Sequence, residues 1–266
     1  MMTLAERGAA LLGRRLARAE PVSGGSLSGL VRIVLDDGSA SIVKDGPDPL
    51  AEAGMLRAIH AAGIPAPEVF AADARTLVIE PLPAAGGNAD TDLGRVVGRL
   101  HAVTGDRYGW HGDYAFGAVR IDNNGSEDWP GFWAERRLLC HAPHLDAALR
   151  RRIEDLAARL PGRLPARPRP ALLHGDLWSG NILTDGGRVS GLIDPACYHG
   201  HAEVDLAMLS LFGAAGPAFR EAYGEAEPGL AERRAIYQLW PALVHLRLFG
   251  SGYRSMVEAL LDATDC

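Results

Sequence analysis

Alternating apolar and polar positions predict a small β-sheet in the first third of the chain. The runs LVRIVL and SASIVK flank the turn signal DDGS, a combination typical of a β-hairpin. Asp48 followed by Pro49 predicts the start of a helix, which ends at Gly63. Shorter strands are predicted in EVFAAD and TLVIE. This segment is therefore predicted to form a small α+β unit that ends near Glu80.

The stretch PLPAAGGNAD is rich in proline, glycine and alanine and predicts a linker, beyond which helical patterns dominate. These patterns are DTDLGRVVGRLHAVTG, DWPGFWAERRLLCHA and LDAALRRRIEDLAARL, with further helices predicted after residue 200. Short strands are predicted within LLHGDLWSGNIL and GRVSGLIDPA. We therefore predict a β-rich N-terminal domain of residues 1–82, a linker of residues 83–90 and a helical domain of residues 91–266.

The first twenty residues predict an amphipathic helix with a capping box, because Glu6 lies three residues after Thr3. They lack the charged start and apolar block of a signal peptide. No apolar run approaches the roughly 20 residues that cross a bilayer. A cytoplasmic protein without a membrane partner is therefore expected.

The amino-acid composition limits the kinds of partner that the chain is expected to bind. The 266-residue chain is 47% apolar and 23% charged, as in an ordinary globular protein. Its formal net charge of −6 argues against nucleic acid as the main partner. The cysteines Cys140, Cys197 and Cys266 are odd in number and widely spaced, so they form neither a CxxC metal pair nor a disulfide framework.

The segment LLHGDLWSGNIL carries the first candidate chemistry. Asn181 follows Asp176 by five residues, and the next predicted strand, VSGLID, ends at Asp194. Phosphoryl transfer needs a carboxylate that orients the attacking hydroxyl, and metal ions that neutralise the phosphates. Mg²⁺ prefers oxygen ligands, which an Asn amide and an Asp carboxylate provide. This order of residues predicts a kinase-like site.

A cation for the phosphates is predicted in the N-terminal unit. Lys44 closes the second hairpin strand, and Glu52 lies on the helix that follows. Kinase-like enzymes pair a strand lysine with a helical glutamate in this chain order. The joint occurrence of these parts, rather than any one of them, indicates a nucleotide-binding kinase-like site.

Each part also has a purely structural alternative. An Asp in a turn is more often a capping residue than a base, and Lys44 alone could be a solvated strand-end lysine. A second HGD, at residues 111–113, has Ala118 five residues after its Asp, so we predict a loop there. The loop SGGSLSG matches neither GxGxxG nor a Walker A motif. His199 and His201 suggest a zinc pair, but no third ligand lies at a usable spacing.

The motif HGDLWSGN resembles the catalytic loop of the fructosamine (ketosamine-3) kinase family, in the aminoglycoside-phosphotransferase-like branch of the kinase superfamily. The pair Trp178 and Ser179 is the more specific mark, since relatives acting on aminoglycosides, choline or homoserine typically carry His-Pro or similar residues there. The likeness extends over residues 20–215 and includes LAEAGMLRAI, LVIEPL, GRLHAVTGDRYGW, DWPGFWAERRL and LIDPACYHGHAEVDLAMLSLFG. It implies a two-lobed, protein-kinase-like α+β fold with a small antiparallel-sheet lobe and a larger helical lobe.

The resemblance implies a role for each matching residue of the kinase-like site. Asp176 matches the family's catalytic base, and Asn181 and Asp194 match its metal ligands. Lys44 matches the phosphate-binding lysine, and Glu52 matches its helical partner. ATP and Mg²⁺ are the cofactors implied.

Six further residues are expected from the resemblance to contact ATP. The glycine-serine loop is expected to cover the nucleotide, and the backbone of the hinge between the lobes is expected to bind adenine. These residues are Gly24, Gly25 and Ser26 of the loop and Glu80, Pro81 and Leu82 of the hinge.

Three other residues are assigned to substrate binding and support. Trp178 is similar to the tryptophan that flanks the sugar-like substrate, where an indole packs against the C–H face of a sugar. Its alternative is a packing residue under the loop. His174 and Asp205 are expected to support the catalytic loop without taking part in the chemistry.

The chain also departs from the family pattern. Lys44 and Glu52 are only eight residues apart, so the loop between strand and helix is short and their pairing is left open. RIDNNGSEDW stands where the family often has Gln-x-Asn, so the substrate contacts are expected to differ there. SGGSLSG lacks the cysteine that some relatives carry, so no thiol switch is expected at that loop.

The resemblance implies ATP-dependent phosphorylation of a ketosamine at its third carbon, with a role in repairing glycated amines. One alternative is a kinase of the same fold that acts on an aminoglycoside, choline or another amino alcohol. The other is a nucleotide-binding pseudokinase, against which the intact Lys44, Asp176, Asn181 and Asp194 argue. The choice between fructosamine and ribulosamine, or between free and protein-bound adducts, is left open. The oligomeric state is open too, with a monomer favoured.

Overall fold

The computed structural model describes residues 1–22, 28–213, 216–224 and 227–265. Within these residues, the N-terminal part contains a five-stranded antiparallel sheet with the strand order β1-β2-β3-β5-β4. The strands are β1 (Leu16–Pro21), β2 (Leu30–Leu35), β3 (Ala40–Lys44), β4 (Val69–Ala72) and β5 (Leu77–Ile79). The predicted β2–β3 hairpin is present, with Val31 opposite Val43.

The two faces of this sheet are covered by different helices, α1 (Leu4–Leu11) and α2 (Pro49–Ala61). Successive side chains of a strand point to opposite faces. Val43 packs with the α1 side, whereas Ile42 packs against the larger core that includes α2. Lys44 lies two residues after Ile42 and therefore faces α2. As predicted, Asp48 caps α2, because its Oδ1 accepts a hydrogen bond from the Ala51 amide at 2.9 Å.

The N-terminal helix is shorter than its sequence pattern predicts. The capping box is present, since the Glu6 amide donates to Thr3 Oγ1 at 3.2 Å and the Thr3 amide donates to Glu6 Oε2 at 2.7 Å. However, α1 ends at Leu11, Gly13 adopts a positive φ of 65°, and the chain then returns as the edge strand β1. The prediction of one helix over the first twenty residues was wrong, because backbone pairing with β2 outweighs helical periodicity in its second half.

The C-terminal part is mainly helical, as predicted. Its helices are α3 (Asp90–Ala102), α4 (Trp129–Trp133), α5 (Ala147–Arg159), α6 (Glu203–Leu209), α7 (Pro217–Tyr223), α8 (Leu230–Phe249) and α9 (Arg254–Asp262). The predicted helix in DWPGFWAERRLLCHA begins as α4 but continues as a π-helical turn and then a 3₁₀ turn. In the part of the chain that the structure describes, no helix is both long and apolar enough to cross a membrane.

In the described part of the chain, three short antiparallel strand pairs lie among these helices. They are β6 (Tyr114–Phe116) with β7 (Val119–Ile121), β8 (Ala171–Leu173) with β11 (Tyr198–Gly200), and β9 (Ile182–Asp185) with β10 (Arg188–Leu192). The β6–β7 hairpin was not predicted. The HGD copy before it is a loop, as predicted, in which Asp113 accepts hydrogen bonds from the Asn123 amide at 3.0 Å and from Arg120 Nη2 at 2.5 Å.

The buried cation Arg137 joins several elements of the helical core. Its side chain is 0% exposed, and its Nη2 donates to Asn123 Oδ1 at 2.7 Å. The guanidinium also lies over the rings of Tyr198 and Trp240, at 4.3 and 5.0 Å from their centroids. A cation between aromatic faces is stabilised by the ring quadrupoles. This contact fixes β11 and α8 relative to each other.

The stretch that was predicted as a linker is bound along the β9–β10 hairpin. Ser190 Oγ donates to the Pro83 carbonyl at 2.5 Å, and the Gly86 amide donates to the Thr184 carbonyl at 2.9 Å. The Leu192 amide, at the end of β10, donates to the Pro65 carbonyl at 2.9 Å. The hairpin is thereby attached to both the linker and the N-terminal part.

Helices α3 and α7 approach closely at Gly94, which generates a stability prediction. A Cβ at Gly94 would lie 2.5 Å from the Phe219 carbonyl oxygen, whereas a Cβ at Gly98 would have its nearest neighbour at 3.8 Å. We expect Gly94→Ala to lower the free energy of unfolding by about 1–3 kcal/mol, because a backbone oxygen cannot move aside easily. Gly98→Ala on the same helix should be neutral or stabilising by up to about 1 kcal/mol. Urea denaturation measures both, and equal effects would contradict the prediction.

Candidate active site

The loop after β8 is held in one conformation by a buried carboxylate. Gly175 has a φ of +81°, and a Cβ there would collide with the Ala196 carbonyl oxygen, so the position requires glycine. Asp205 on α6 is 0% exposed and accepts hydrogen bonds from the amides of His174, at 2.7 Å, and Gly175, at 2.9 Å. These contacts fix the direction in which the chain continues to the next residue, Asp176.

The sequence-predicted pair Asp176 and Asn181 is brought together by a short 3₁₀ turn at Ser179–Asn181. Asn181 Nδ2 donates to the backbone oxygen of Asp176 and to its Oδ2, both at 2.9 Å. The amide therefore points its nitrogen towards Asp176 and leaves its oxygen available to another group. The five-residue spacing thus produces one polar cluster.

Burial raises the pKa of Asp176 to about 7, and the negative charge of Asp194 acts in the same direction. The hydrogen bond from Asn181 opposes this rise by stabilising the carboxylate. A carboxyl group with a raised pKa accepts a proton more readily than an ordinary aspartate. Asp176 therefore has the electrostatic surroundings of a group that can take a proton near neutral pH.

Lys44 joins the N-terminal sheet to this cluster. Its Nζ lies 2.7 Å from Glu52 Oε1 and 2.6 Å from Asp194 Oδ1. The pairing with Glu52, which the sequence left open, is therefore present despite the short intervening loop. Lys44 and Glu52 are almost fully buried, whereas 38% of the Asp194 side chain is exposed. The Lys44 ammonium thus lies between the two parts of the chain.

The charges of this triad depend on one another. Burial acts to lower the pKa of Lys44, but the carboxylates of Glu52 and Asp194 outweigh it, so the pKa is raised. Burial raises the pKa of Glu52, and Lys44 opposes that rise. A buried charge is tolerated only when it is paired. The lysine is therefore held as a cation at this site.

His174 connects the loop to the turn that carries Asp194. Its Nε2 donates to the Ile193 carbonyl at 3.0 Å, so its Nδ1 is free to accept a hydrogen bond from the Asp176 amide at 3.3 Å. Burial lowers the pKa of His174, which favours this neutral form. Asp194 itself has a positive φ of 53°, which is uncommon for a residue other than glycine. His174 thus sets the spacing between the Asp176 and Asp194 segments.

Trp178 is not buried under the loop. Its side chain is 37% exposed and packs edge-on against Phe212, with ring centroids 6.2 Å apart. Trp178 and Asp176 both line a cavity of about 570 Å³. The indole therefore lies beside the candidate base.

The predicted hinge follows β5 directly. The Glu80 amide donates to the Glu68 carbonyl at 2.9 Å, and Glu80 Oε2 accepts from the Glu68 amide at 3.2 Å. Leu82 lies against Gly191 of β10, so the hinge borders the β9–β10 hairpin. The expected nucleotide-covering residues Gly24, Gly25 and Ser26 lie outside the described residues.

One neighbour of the site was missed by the sequence analysis. Tyr114, at the start of β6, is 8% exposed, and its hydroxyl faces Glu52, where it opposes the rise in the Glu52 pKa by stabilising the carboxylate. Burial raises the pKa of Tyr114 above its usual range, and the carboxylates of Glu52, Asp194 and Asp176 add to this. The phenol therefore stays protonated beside Glu52. Its contact depends on a hairpin that no local pattern indicated.

The alternative zinc pair is not formed. His199 packs against Trp110, with ring centroids 5.5 Å apart. His201 instead lies with Glu203 and Glu227, and candidate ligand atoms of these three residues are within 4.8 Å of one another. Arg233 already makes hydrogen bonds of 2.7 and 2.5 Å to Glu203. Within the described residues, this group is therefore an ion-pair network.

Comparison with known proteins identifies the family of this chain. The sequence profile of the family described as "Fructosamine kinase" matches residues 15–264. A Synechocystis protein named "probable ketoamine kinase" is 40% identical over 199 residues, which cover 70% of this chain and 66% of that protein. The chain thus spans slightly less than two thirds of the length of this curated relative.

Solved structures show the same fold. A Thermobifida fusca protein named "putative fructosamine-3-kinase" has a TM-score of 0.88 and 32% identity, and the match covers 98% of both chains. A macrolide 2'-phosphotransferase from Brachybacterium faecium has a TM-score of 0.65 at 20% identity and covers 96% of both chains. This second likeness concerns the fold alone and confirms the predicted kinase-like α+β architecture. Because the profile spans nearly the whole sequence, the chain belongs to the fructosamine kinase family.

Proposed function

We propose that this protein is an ATP-dependent kinase that phosphorylates a sugar hydroxyl of a ketosamine. The observation that carries the proposal is the position of Lys44 Nζ, 2.7 Å from Glu52 and 2.6 Å from Asp194. This arrangement places a cation where the sheet faces the Asp176–Asn181 cluster, as the binding of nucleotide phosphates requires. Family membership supports the reaction class.

ATP is proposed to bind between the N-terminal sheet and the β9–β10 hairpin. Its adenine would contact the backbone of residues 80–82, where the Glu80 amide is bonded to the Glu68 carbonyl. The glycine-serine loop, with Gly24 and Gly25, would cover the phosphates. Lys44 would contribute its positive charge to them.

Asn181 and Asp194 fit a divalent cation, which we take to be Mg²⁺. The Asn181 amide turns its nitrogen to Asp176 and so leaves Oδ1 for a cation, while the Asp194 carboxylate is partly exposed. Both supply oxygen ligands, the type that Mg²⁺ prefers. The metal would neutralise charge on the ATP phosphates.

Asp176 is proposed as the base. In the reaction, the sugar hydroxyl oxygen attacks the γ-phosphorus, its proton passes to the Asp176 carboxylate, and ADP leaves. Asn181 fixes the carboxylate through the 2.9 Å hydrogen bond, so that Oδ1 is free to accept the proton. Asp205 and His174 act by positioning this loop.

The acceptor is assigned from the relatives and from the cavity. The names of the Synechocystis and T. fusca proteins both refer to ketosamine-type substrates. Trp178 offers a flat ring against which the C–H face of a sugar packs. We therefore propose phosphorylation at the third carbon of a ketosamine, with removal of glycation adducts as the biological role.

A substrate panel tests this proposal. ATP consumption with Mg²⁺ should be faster with fructose-lysine or ribulose-lysine than with choline or kanamycin, by at least about tenfold in kcat/KM, equivalent to about 1.4 kcal/mol. A preference for kanamycin or choline would show that the acceptor is not a ketosamine. Thermal stabilisation by ATP and Mg²⁺ without transfer to any acceptor would identify a pseudokinase.

Removal of the base should abolish turnover without abolishing nucleotide binding. We expect Asp176→Asn to lower kcat by on the order of 10²–10⁴, because the amide cannot take the hydroxyl proton. The Kd for ATP should change little. Asp113→Asn, in the second HGD, is the matched control and should retain near-wild-type kcat. Comparable activity of Asp176→Asn and Asp113→Asn would show that Asp176 is not the base.

The raised pKa of Asp176 predicts a pH dependence. The carboxylate is the active form, so activity should be present above its pKa and decline as the pH falls below it. The pKa of about 7 applies to the free protein, and a bound cation would lower it. We expect the decline in kcat/KM to begin at least about one unit above the ordinary Asp pKa of about 4. A profile that is flat down to pH 5 would contradict this assignment.

A further inference from the structure

The cavity beside Asp176 extends well beyond the loop that carries this residue. Its volume of about 570 Å³ lies within the range of about 300–1,000 Å³ that holds drug-sized ligands, which is more room than a single sugar needs. Among the described lining residues, Asp176 is the only acid, and none is a lysine or arginine. The remainder of the cavity is therefore predominantly apolar.

One side of the cavity is a continuous series of rings, which we name the aromatic wall. Its members are Trp178, Phe212, His245, Phe249 and Tyr253. Neighbouring ring centroids are 6.2 Å apart from Trp178 to Phe212, 5.4 Å from Phe212 to His245, and 4.9 Å from His245 to Tyr253. The wall thus starts at the catalytic loop and leads away from it.

The wall is produced by the spacing of residues at the end of α8. His245 and Phe249 are four residues apart and so share one face of the helix. Gly250 then adopts a positive φ of 82°, which ends the helix and allows Tyr253 to return to the same face. Trp178, Phe212 and Phe249 remain 37%, 43% and 46% exposed. Large rings grouped in the open are typical of a surface that a ligand covers.

His245 adds one directed polar group to the wall. Its Nδ1 lies 2.8 Å from the Pro241 carbonyl, which can only accept, so Nδ1 carries the hydrogen. In the neutral ring, Nε2 is then an acceptor. Among the described residues, no hydrogen bond engages Nε2. The ring therefore offers a lone pair to a ligand that can donate.

We propose that the aromatic wall binds the amine part of the ketosamine and selects adducts of apolar or aromatic amines. The proposal rests on the ketosamine kinase function given above. A ketosamine joins its sugar to a secondary ammonium, and aromatic faces attract such a cation. His245 Nε2 accepts one of its N–H hydrogens. Beyond the nitrogen, the rings of Phe249 and Tyr253 favour carbon, whereas a carboxylate there would lose water and would meet no lysine or arginine among the described lining residues.

Two adducts that share a sugar and an ammonium provide the test. These are fructosyl-phenethylamine, which carries a ring beyond the nitrogen, and fructosyl-β-alanine, which carries a carboxylate. The wild-type enzyme should prefer the phenethylamine adduct by about tenfold in kcat/KM. Phe249→Ala and Tyr253→Ala should each raise KM for the phenethylamine adduct several-fold at unchanged kcat, and should leave KM for the β-alanine adduct near its wild-type value.

Two further variants separate the polar contribution from a general loss of structure. His245→Phe keeps a ring but removes the acceptor, so it should raise KM for both adducts, which share the ammonium. Phe70→Ala removes another exposed ring, 42% accessible on β4 and absent from the cavity lining, and should change neither KM. Thermal melting checks that each variant folds.

The outcomes separate the two proposals. If neither adduct nor its ribulosyl counterpart is phosphorylated, the ketosamine function and the assignment of the wall both fail. If only the ribulosyl counterparts react, the same comparison of kcat/KM and KM is made with them. If both adducts are phosphorylated with equal kcat/KM, and Phe249→Ala and Tyr253→Ala leave KM unchanged, the function stands and the assignment of the wall is wrong. An equal rise in KM for both adducts in Phe249→Ala and Tyr253→Ala would also overturn selection by the wall.

Discussion

The buried carboxylate of Asp205 is the constraint on which the geometry of the site depends. It accepts hydrogen bonds from the amides of His174 and Gly175, and it also lies 3.1 Å from Nε2 of His101. The other ring nitrogen of His101, Nδ1, lies 2.9 Å from the Tyr223 hydroxyl. A carboxylate withdrawn from water is tolerated only when several donors satisfy it. Helices α3, α6 and α7 are therefore all tied to one bend of the chain. The orientation of Asp176 follows from this network.

A second set of contacts connects this network to the N-terminal sheet. His174 joins the bend to the Asp194 turn, and Asp194 meets Lys44 at 2.6 Å. Tyr114 supports Glu52, which in turn supports Lys44. These groups form one continuous series of polar contacts. Through it, residues 150 positions apart, such as Lys44 and Asp194, lie at one site.

The sequence predicts those parts of the site whose residues lie close together along the chain. The five-residue spacing of Asp176 and Asn181 translates directly into neighbouring side chains. The strand predicted to end at Asp194 ends at Leu192 instead, and Asp194 lies in the turn that follows it. The chain order also placed Lys44 opposite them, since Lys44 occurs on a strand whose alternation is visible. Tyr114 could not be found in this way, because its contact with Glu52 is long-range. The aromatic wall was hidden for a related reason, since rings at four-residue intervals on a helix equally indicate a core face.

The hydrogen bonds along the linker restrict how the N-terminal sheet can move relative to the β9–β10 hairpin. Pro83 and Gly86 are bound to the β9–β10 hairpin, and Pro65 is bound to its last strand residue. A swing of the sheet about the linker would therefore have to break these bonds or carry the hairpin with it. In the second case, the residues at the two ends of the hairpin, Asn181 and Asp194, would travel with the sheet. The distance of the sheet from the Asp176 loop and the positions of Asn181 and Asp194 would then be governed by a single motion.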